Sequence, residues 1–387
     1  MKTINWNIHK TDQEWAFGVL ARHVMKRLKD FRHVLNEPNG AHINMYMTPT
    51  QFNQRPADNR SVLHLDGHRV FQRESVKLNQ RPRILNVIWE LGGWSWGLCY
   101  SNIQLKLNQE YNMRAIEYKP FARSGCQLPM DGVDFVLCQN ITQVNAVPDE
   151  MKCRTITRLG GIMNFAETGS PRVNFYFDQM RQCAAIIATN EALYDIAIQV
   201  NPNTYLIPNG IDIKAWCPRP GREWRFKKPV IGFVGNVTNL PKVRYKGYDL
   251  VCKAARDLGL ELRKALFKSE QIPHDKMKEL FYDEIDLLIL PTDGEGSSNT
   301  IIEALACGVP VITTRTSGYH GERMTDGENV VFCEKSLQGV KQSITRFFGN
   351  RDFFDKISAG GRAFAVKNHD INLIAARYRE VFERHFV

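Results

Sequence analysis

Two glutamates that flank a polar, glycine-containing loop are the residues whose types and spacing most clearly point to chemistry. Glu295 lies in the loop at 292–298 and Glu303 in the segment 299–306, with seven residues between the two glutamates. The pattern predicts a helix over the second segment, and its start would hold Ser298, Asn299 and Thr300. The first N–H groups of a helix lack intrahelical partners, and the helix dipole favours an anion there. A diphosphate could bind at this helix start while Glu303 reaches a sugar hydroxyl; alternatively, the carboxylates only offset the dipole.

The elements that would position these residues form a βαβ unit. An apolar run at 285–290 predicts a buried strand that ends before Pro291, and a second apolar strand is predicted at 309–313. The polar loop then follows the carboxyl end of the first strand, where open α/β sheets bind their ligands. Other strands are predicted at 84–91, 133–138, 155–159, 205–207 and 230–235. Helices are predicted at 173–183, 248–258, 336–347, 351–364 and 371–384, so the fold class is α/β.

Four short segments resemble the motifs of a known family, the retaining GT-B glycosyltransferases of family GT4, and they occur in the family's order. The segments are PNGID at 208–212, KGYDL at 246–250, EGSSNTIIEALACGVPVI at 295–312 and DGEN at 326–329. The resemblance implies a GT-B fold, with two Rossmann-like domains that face each other across a cleft. It implies an acceptor-side domain at 1–207, a nucleotide-sugar-binding domain at 208–370, and at 371–387 a helix that crosses back to the first domain.

The resemblance also implies roles for residues on the donor side. Lys246 would grip the donor diphosphate, Glu303 would bind the nucleotide ribose, and Glu295 would bind the donor sugar. The donor would be a UDP- or GDP-sugar, which is a substrate and not a tightly bound cofactor. No metal would be required.

One donor-side position departs from the family's pattern. The family carries an arginine directly after the "VG" of its first strand, whereas here Gly235 is followed by Asn236. Arginine matters because its planar fork can hold a phosphate through two hydrogen bonds. Arg244 or Lys242, both in a loop predicted at 236–245, could take over this contact.

A glycine-rich turn in the N-terminal half is a candidate for the acceptor or sugar side. It follows the strand predicted at 84–91 and contains Gly92, Gly93 and Trp94. Glycine lets a backbone approach a ligand closely, and tryptophan can stack on a sugar or base. The alternative is a tight turn with its tryptophan packed at the edge.

A second departure from the family concerns a histidine that touches the transferred sugar in many relatives. This chain has Arg158 near that position, so Arg158, His64 or His68 could fill the role. The spacing His64-x-Asp66-x-His68 is also a metal-binding pattern. Because no further ligand is evident, we expect these residues to shape the acceptor or sugar pocket, without a metal.

The charge distribution leaves the neighbours of the protein open. The net charge is +10 and the pI is about 9.1, which indicates either a polyanionic neighbour or only a solvated basic surface. A helix predicted over 11–31 has a basic face that could contact an anionic membrane or duplex DNA. We favour a helix that packs on a sheet, between short strands predicted at 5–9, 41–47 and 62–65.

Composition argues against several other classes. The nine cysteines form no C-x-x-C pair, so neither a zinc site nor a disulfide framework is indicated. No apolar run approaches the roughly 20 residues of a membrane span, and the N-terminus has no apolar signal core. We expect a cytoplasmic protein, free or peripheral at the inner membrane surface, or one in the host cytoplasm if it is viral.

The sequence therefore predicts an enzyme that moves a sugar from a nucleoside-diphosphate sugar to a hydroxyl, and the resemblance implies retention of anomeric configuration. Two acceptors stay open: a cell-envelope glycan or lipid-linked sugar, and a hydroxymethylated base in DNA. A third hypothesis is a sugar-nucleotide-binding module without turnover. It is motivated by Asn236 and by the missing histidine.

Overall fold

A computed structural model describes the side chains of residues 81–89, 102–104, 106–108, 110–161, 165, 169–316 and 324–386, and the backbone of four strands nearer the N-terminus. Its contacts divide the chain into two compact units. The first is Met1–Arg81 with Arg114–Ile116, and the second is Pro82–Met113 with Glu117–Val387.

The first unit contains a four-stranded parallel sheet. Its strands are β1 (Lys2–Asn7), β2 (Phe31–Leu35), β3 (Ile43–Tyr46) and β4 (Val62–His64), in the order β2-β1-β3-β4. The helix predicted over 11–31 lies outside the described residues except for its last residue, Phe31, which begins β2 and pairs with Lys2. The predicted end of that helix was wrong because FRHVL, with an aromatic and a β-branched residue, suits a strand.

A six-stranded sheet in the order β6-β5-β7-β8-β9-β10 lies in the second unit, except for Arg114–Ile116 of β6, which are assigned to the first. Its strands are β5 (Arg83–Ile88), β6 (Asn112–Glu117), β7 (Phe135–Cys138), β8 (Thr155–Leu159), β9 (Ala185–Ala188) and β10 (Thr204–Leu206). The neighbouring pairs β5-β7, β7-β8, β8-β9 and β9-β10 are parallel. The connecting helices are α1 (Lys119–Ser124), a 3₁₀ helix (Ile141–Ala146), α2 (Asp149–Lys152), α3 (Pro171–Gln182) and α4 (Glu191–Ile198).

A five-stranded parallel sheet follows in the same unit, in the order β12-β11-β13-β14-β15. Its strands are β11 (Val230–Gly235), β12 (Glu261–Leu266), β13 (Leu287–Leu290), β14 (Val311–Thr313) and β15 (Val331–Phe332). Its helices are α5 (Leu240–Lys246), α6 (Tyr248–Leu258), α7 (His274–Leu280), a 3₁₀ helix (Tyr282–Glu284), α8 (Asn299–Ala306), α9 (Leu337–Gly349) and α10 (Arg351–His369). The strand order reverses between β11 and β13, so their carboxyl ends form the switch point at which such sheets bind ligands.

Helix α5 occupies the segment where a loop was predicted. Its start is capped by Asn239, whose side chain accepts a hydrogen bond of 3.0 Å from the Lys242 amide, and a proline stands in its first turn. It ends at Gly247, which has a left-handed φ of 66°. These are ordinary helix start and stop signals, and the prediction gave them too little weight against the cluster of polar residues before them.

The last helix, α11 (Ile371–His385), packs against the six-stranded sheet. Its buried residues Ile374, Tyr378 and Phe382 belong to the same apolar cluster as Leu137 and Ile156 of the sheet. The junction before α11 is hydrogen-bonded to the segment that joins the two sheets: Ile211 N donates to His369 O, and Ile371 N donates to Ile211 O, each at 2.9 Å. The domain boundaries predicted at 207/208 and 370/371 stay predictions.

Within the described ranges, no helix combines the length and the apolar character that spanning a bilayer requires.

Candidate functional site

The loop at 291–298 follows β13 and is tied to the end of α5. The amide of Asp293 donates to the carbonyl oxygen of Tyr245 at 2.9 Å, and the Tyr245 hydroxyl donates to Gly294 O at 2.8 Å. Burial, followed by the nearby charges of Glu295 and Asp293, raises the pKa of Tyr245 to about 12. The phenol therefore stays protonated and keeps this hydrogen bond at neutral pH.

Lys246 is positioned by the glycine that follows it. A Cβ at Gly247 would lie 2.7 Å from Cγ of Pro291 and would overlap the Pro291 carbonyl oxygen, and the left-handed φ also disfavours a side chain. Glycine thus lets α5 end directly against β13. The half-buried Lys246 ammonium forms an ion pair with Oε1 of Glu295. Two residues that were predicted to bind one donor from separate segments therefore contact each other.

Lys335 supplies a second ammonium group at this edge, and it was not among the predicted site residues. Its Nζ lies 2.5 Å from Oδ2 of Asp293, and it also donates to the carbonyl oxygens of Arg244 at 2.7 Å and Tyr245 at 3.2 Å. Lys335 follows β15 by three residues. The rule that parallel strands present ligand-binding residues at their carboxyl ends could have indicated it.

The residues considered as replacements for the missing arginine lie on the exposed side of this region. Oδ1 of Asn236 accepts hydrogen bonds from the amide and the hydroxyl of Thr238, at 3.3 and 2.9 Å. Its side chain therefore stabilises the local turn at 236–238. Lys242 is exposed and donates to the Thr238 hydroxyl at 3.2 Å. The Arg244 side chain is also exposed. Gly235 ends β11, with Lys246 Cγ 4.0 Å from where its Cβ would be.

The start of α8 is linked to the segment that joins the two sheets. Nδ2 of Asn209 donates to Ser297 O at 2.6 Å and to Oδ1 of Asn299 at 2.7 Å, and the Asn209 amide donates to the Ser297 hydroxyl at 3.0 Å. Ser298 is the N-cap residue of α8. Among the described residues, no backbone amide donates a capping hydrogen bond to its hydroxyl. Thr300 lies in the first turn. The three polar residues predicted at the helix start are therefore where they were expected.

The loop also contacts the carboxyl edge of the six-stranded sheet. Arg158, at the end of β8, is buried, and its guanidinium donates to Oδ1 of Asn209. A Cβ at Gly296 would overlap the carbonyl group of Gly160, so the two backbones approach closely there. Asn190 caps α4 and donates to the carbonyl oxygens of Glu295 and Gly296, each at 3.3 Å. Arg158, which was predicted to lie on the acceptor or sugar side, is therefore linked to the loop through its hydrogen bond to Asn209.

Glu303 lies in the second turn of α8 and has two side-chain partners. Its Oε1 is 2.9 Å from Nε2 of His274, and its Oε2 accepts a hydrogen bond of 2.9 Å from the Tyr282 hydroxyl. Its side chain is only 7% exposed. Burial, followed by the charge of Glu303, raises the pKa of Tyr282 well above its usual range, so this hydroxyl remains a donor. Neither partner was foreseen, since both lie more than 20 positions away along the chain.

Several predicted acceptor-side residues lie outside the described residues. They are Gly92, Gly93, Trp94 and Asp66; His64 ends β4, but its side chain is outside as well. In the part of the chain whose side chains are described, no three His, Cys, Asp or Glu side chains gather as a metal site. The prediction of no metal stays a prediction.

Solved structures share this fold over 78% to 100% of the chain. The chain is similar to HepE from Anabaena in complex with UDP-glucose, with a TM-score of 0.60 and 15% identity over 78% of this chain and 99% of that one. It is also similar to sucrose-phosphate synthase from Thermosynechococcus elongatus, with a TM-score of 0.54 and 13% identity over 100% and 99% of the two chains. The fold is GT-B. The predicted fold class is confirmed.

Sequence similarity to known proteins covers short stretches of this chain. A family model described as "Glycosyl transferases group 1" matches residues 262–350. An uncharacterised glycosyltransferase of Methanocaldococcus jannaschii is 31% identical over 88 residues, which are 22% of this chain and 25% of that protein. The capsular polysaccharide biosynthesis glycosyltransferase CapM of Staphylococcus aureus is 31% identical over 83 residues, which are 21% of this chain and 22% of CapM. The chain thus spans about a quarter of the length of these relatives.

Proposed function

We propose that this protein is a glycosyltransferase that moves a sugar from a nucleoside-diphosphate sugar to a hydroxyl acceptor. The observation that carries the proposal is the ion pair of Lys246 with Glu295, in the loop that leads from β13 at the switch point of the five-stranded sheet into the start of α8. An ammonium group and the amides of a helix start are suited to an anion. The match to the glycosyl transferases group 1 model over residues 262–350, which include Glu295 and α8, supports the same conclusion.

The chemistry follows from where charge develops. The bond between the anomeric carbon and the diphosphate oxygen breaks, and the acceptor oxygen forms the new bond to that carbon while its proton passes to the departing diphosphate. Negative charge grows on the leaving diphosphate. Lys246 would exchange its partner Glu295 for this diphosphate, and Glu295 would then be available to the hydroxyls of the donor sugar. Fixed donors that strengthen as charge grows lower the barrier more than they stabilise the ground state.

Three further residues complete the proposed donor side. Lys335 adds a second positive charge beside the loop, bound to Asp293 at 2.5 Å. Glu303 would accept hydrogen bonds from the nucleotide ribose. Arg244, exposed on α5, is the arginine we propose for the diphosphate in place of the one missing at Asn236. Membership of family GT4, retention of configuration and the absence of a metal requirement belong to this proposal through the motif resemblance.

The acceptor we propose is a cell-envelope glycan or lipid-linked sugar. Two sequence relatives support this choice by name: CapM acts in capsular polysaccharide biosynthesis, and LpsB of Rhizobium meliloti, 29% identical over 106 residues, is a lipopolysaccharide core biosynthesis mannosyltransferase. Hydroxymethylated DNA is the competing acceptor, and it is motivated by the net charge of +10 and by the basic face of the helix predicted over 11–31.

The proposal is tested by a thermal-shift screen of nucleotide sugars, followed by a transfer assay with the donor that binds. A ligand at 100 times its Kd stabilises a protein by about 2.7 kcal/mol, which such a screen detects. Transfer to glycan acceptors, with the anomeric configuration read by NMR, is the expected result. Binding without transfer or donor hydrolysis would indicate a binding module. Duplex binding that weakens steeply with salt, together with transfer to hydroxymethylated DNA, would move the acceptor to DNA.

A further inference from the structure

The carboxylate of Glu303 is held in one orientation by two donors on different elements. His274 is the first residue of α7, and Tyr282 lies in the 3₁₀ helix that follows. Each contacts a different oxygen of Glu303 at 2.9 Å. An ionised carboxylate only accepts hydrogen bonds, so Nε2 of His274 must carry the proton in this contact.

The two donors are themselves fixed by one indole ring. The ring centroid of Trp216 lies 5.0 Å from that of His274 and 5.6 Å from that of Tyr282, which it meets edge-on. Trp216 and Tyr282 are buried. Pro273, with its φ of −55°, immediately precedes His274 and restricts the entry to α7. The imidazole is thus placed beside Glu303 by the indole and by the start of α7, with 32% of its side chain exposed.

The carboxylate of Glu303 has more acceptor positions than these two hydrogen bonds use. A carboxylate offers about four lone-pair positions, two on each oxygen. His274 occupies one on Oε1 and Tyr282 one on Oε2. Among the residues that the structure describes, these are the two partners of the carboxylate, so one acceptor position remains on each oxygen. Two such positions match the two neighbouring hydroxyl groups of a ribose.

We propose that His274 is a positioning residue that orients Glu303 for the vicinal diol of the nucleotide, and so sets the preference for ribonucleotides over deoxyribonucleotides. This inference rests on the proposed function, because it requires that a nucleoside diphosphate binds at Glu303. Without the imidazole, Oε1 loses its fixed partner and the carboxylate can rotate. The tyrosine hydroxyl alone then holds Glu303, and the two-point contact with the diol is lost.

The experiment measures the affinities of UDP and GDP, and of their 2′-deoxy and 3′-deoxy analogues, by calorimetry for the wild type and variants. For the better nucleotide, we expect the wild type to bind the ribo form about 10-fold or more tightly than either analogue, since a buried carboxylate loses a charged hydrogen bond. In His274→Ala the ribonucleotide should weaken about 10-fold and the analogues by less than about 2-fold, so the ratio approaches one. His274→Gln, whose amide can donate in place of Nε2, should restore the ratio.

Lys278→Ala is the matched control, because Lys278 lies on the same helix and pairs with Asp283 at 2.8 Å. It loosens α7 without touching Glu303, so the ratio should be that of the wild type. If His274→Ala weakens the ribo and deoxy forms equally, or leaves the ratio unchanged, the positioning role is wrong.

A folding failure of His274→Ala and the nucleotide binding of the wild type itself are distinguished from these results as follows. If His274→Ala does not fold, Tyr282→Phe supplies the same test from the other oxygen, because it removes only the hydroxyl, and an unchanged ratio there would overturn the inference. If the wild type binds nucleoside diphosphates but does not distinguish the deoxy analogues, only this inference fails. If the wild type binds no nucleoside diphosphate, the proposed function itself fails, and this inference with it.

Discussion

Replacing Gly247 by alanine tests whether the glycine that ends α5 places Lys246 at the loop. Gly247 has a φ of 66°, and Gly259, which ends α6, has a nearly identical φ of 65°. An L-residue in the left-handed region costs about 1–2 kcal/mol at either position. The surroundings differ, because a Cβ at Gly259 meets no atom within 4 Å, whereas one at Gly247 lies 2.7 Å from Cγ of Pro291. Gly259→Ala is therefore a matched control for backbone strain alone.

The magnitude follows from that difference. Carbon atoms pack at about 3.5–4.0 Å, so Pro291 and α5 must separate by roughly 1 Å to accept the new methyl group. Overpacking of this kind typically costs about 1–3 kcal/mol. We expect Gly259→Ala to lose about 1–2 kcal/mol of unfolding free energy and Gly247→Ala about 2–5 kcal/mol. The same separation moves the Lys246 ammonium away from Glu295, so the donor affinity should fall about 10-fold in Gly247→Ala only.

Urea denaturation measures the first effect and calorimetric titration of the donor nucleotide measures the second. If both alanine variants lose the same stability and bind the donor alike, the contact with Pro291 does not position Lys246. A loss of stability in Gly247→Ala without a loss of donor affinity would show that the loop tolerates the shift. The proposed role of α5 in donor binding would then be wrong.

Three other predictions concern the same edge of the sheet. Lys246→Ala and Glu303→Ala should each lose roughly 10²-fold or more in kcat/KM, and near-wild-type transfer by both variants would refute the proposed donor site. Lys335→Met should lower kcat/KM about 10-fold, whereas Lys341→Met, which removes a lysine paired with Asp257 at 3.1 Å, should change it less than about 2-fold; equal effects in steady-state assays would contradict this. The pKa of Tyr245 is raised in the folded state from 10.0 to about 12, so its contribution to stability is complete below pH 10 and is lost as the pH rises towards 12. Urea midpoints measured across that range should fall less steeply in Tyr245→Phe, and parallel slopes would contradict the assignment.

Much of the fold was readable because the strands are short, apolar and bounded by turn residues. The strand at 155–159 and the helix at 299–306 lie where they were predicted. Parallel strands buried on both faces are continuously apolar, and this pattern is local in sequence. Helix α5 was missed because its signals occupy only a few positions, and one turn of amphipathic pattern is too short to separate a helix from a loop.

The candidate site was readable only in part. Glu295 and Glu303 were singled out because their spacing and the residues around them resemble one motif of the GT4 family, and Lys246 because the segment KGYDL at 246–250 resembles another. His274 and Lys335 were missed, since nothing near them in sequence indicates that they approach the same loop. Their partners are brought to them by crossover connections between strands.

The sequence by itself determined the α/β alternation, the loop that follows β13, and the residue types that suit a diphosphate and a sugar. Only the tertiary structure decided which charges meet: that Lys246 pairs with Glu295, that Lys335 binds Asp293, and that Glu303 is held by His274 and Tyr282. The physical reason is that local pattern reflects burial and backbone preference within a few residues. Contacts at the switch point depend on the order in which distant strands align in the sheet.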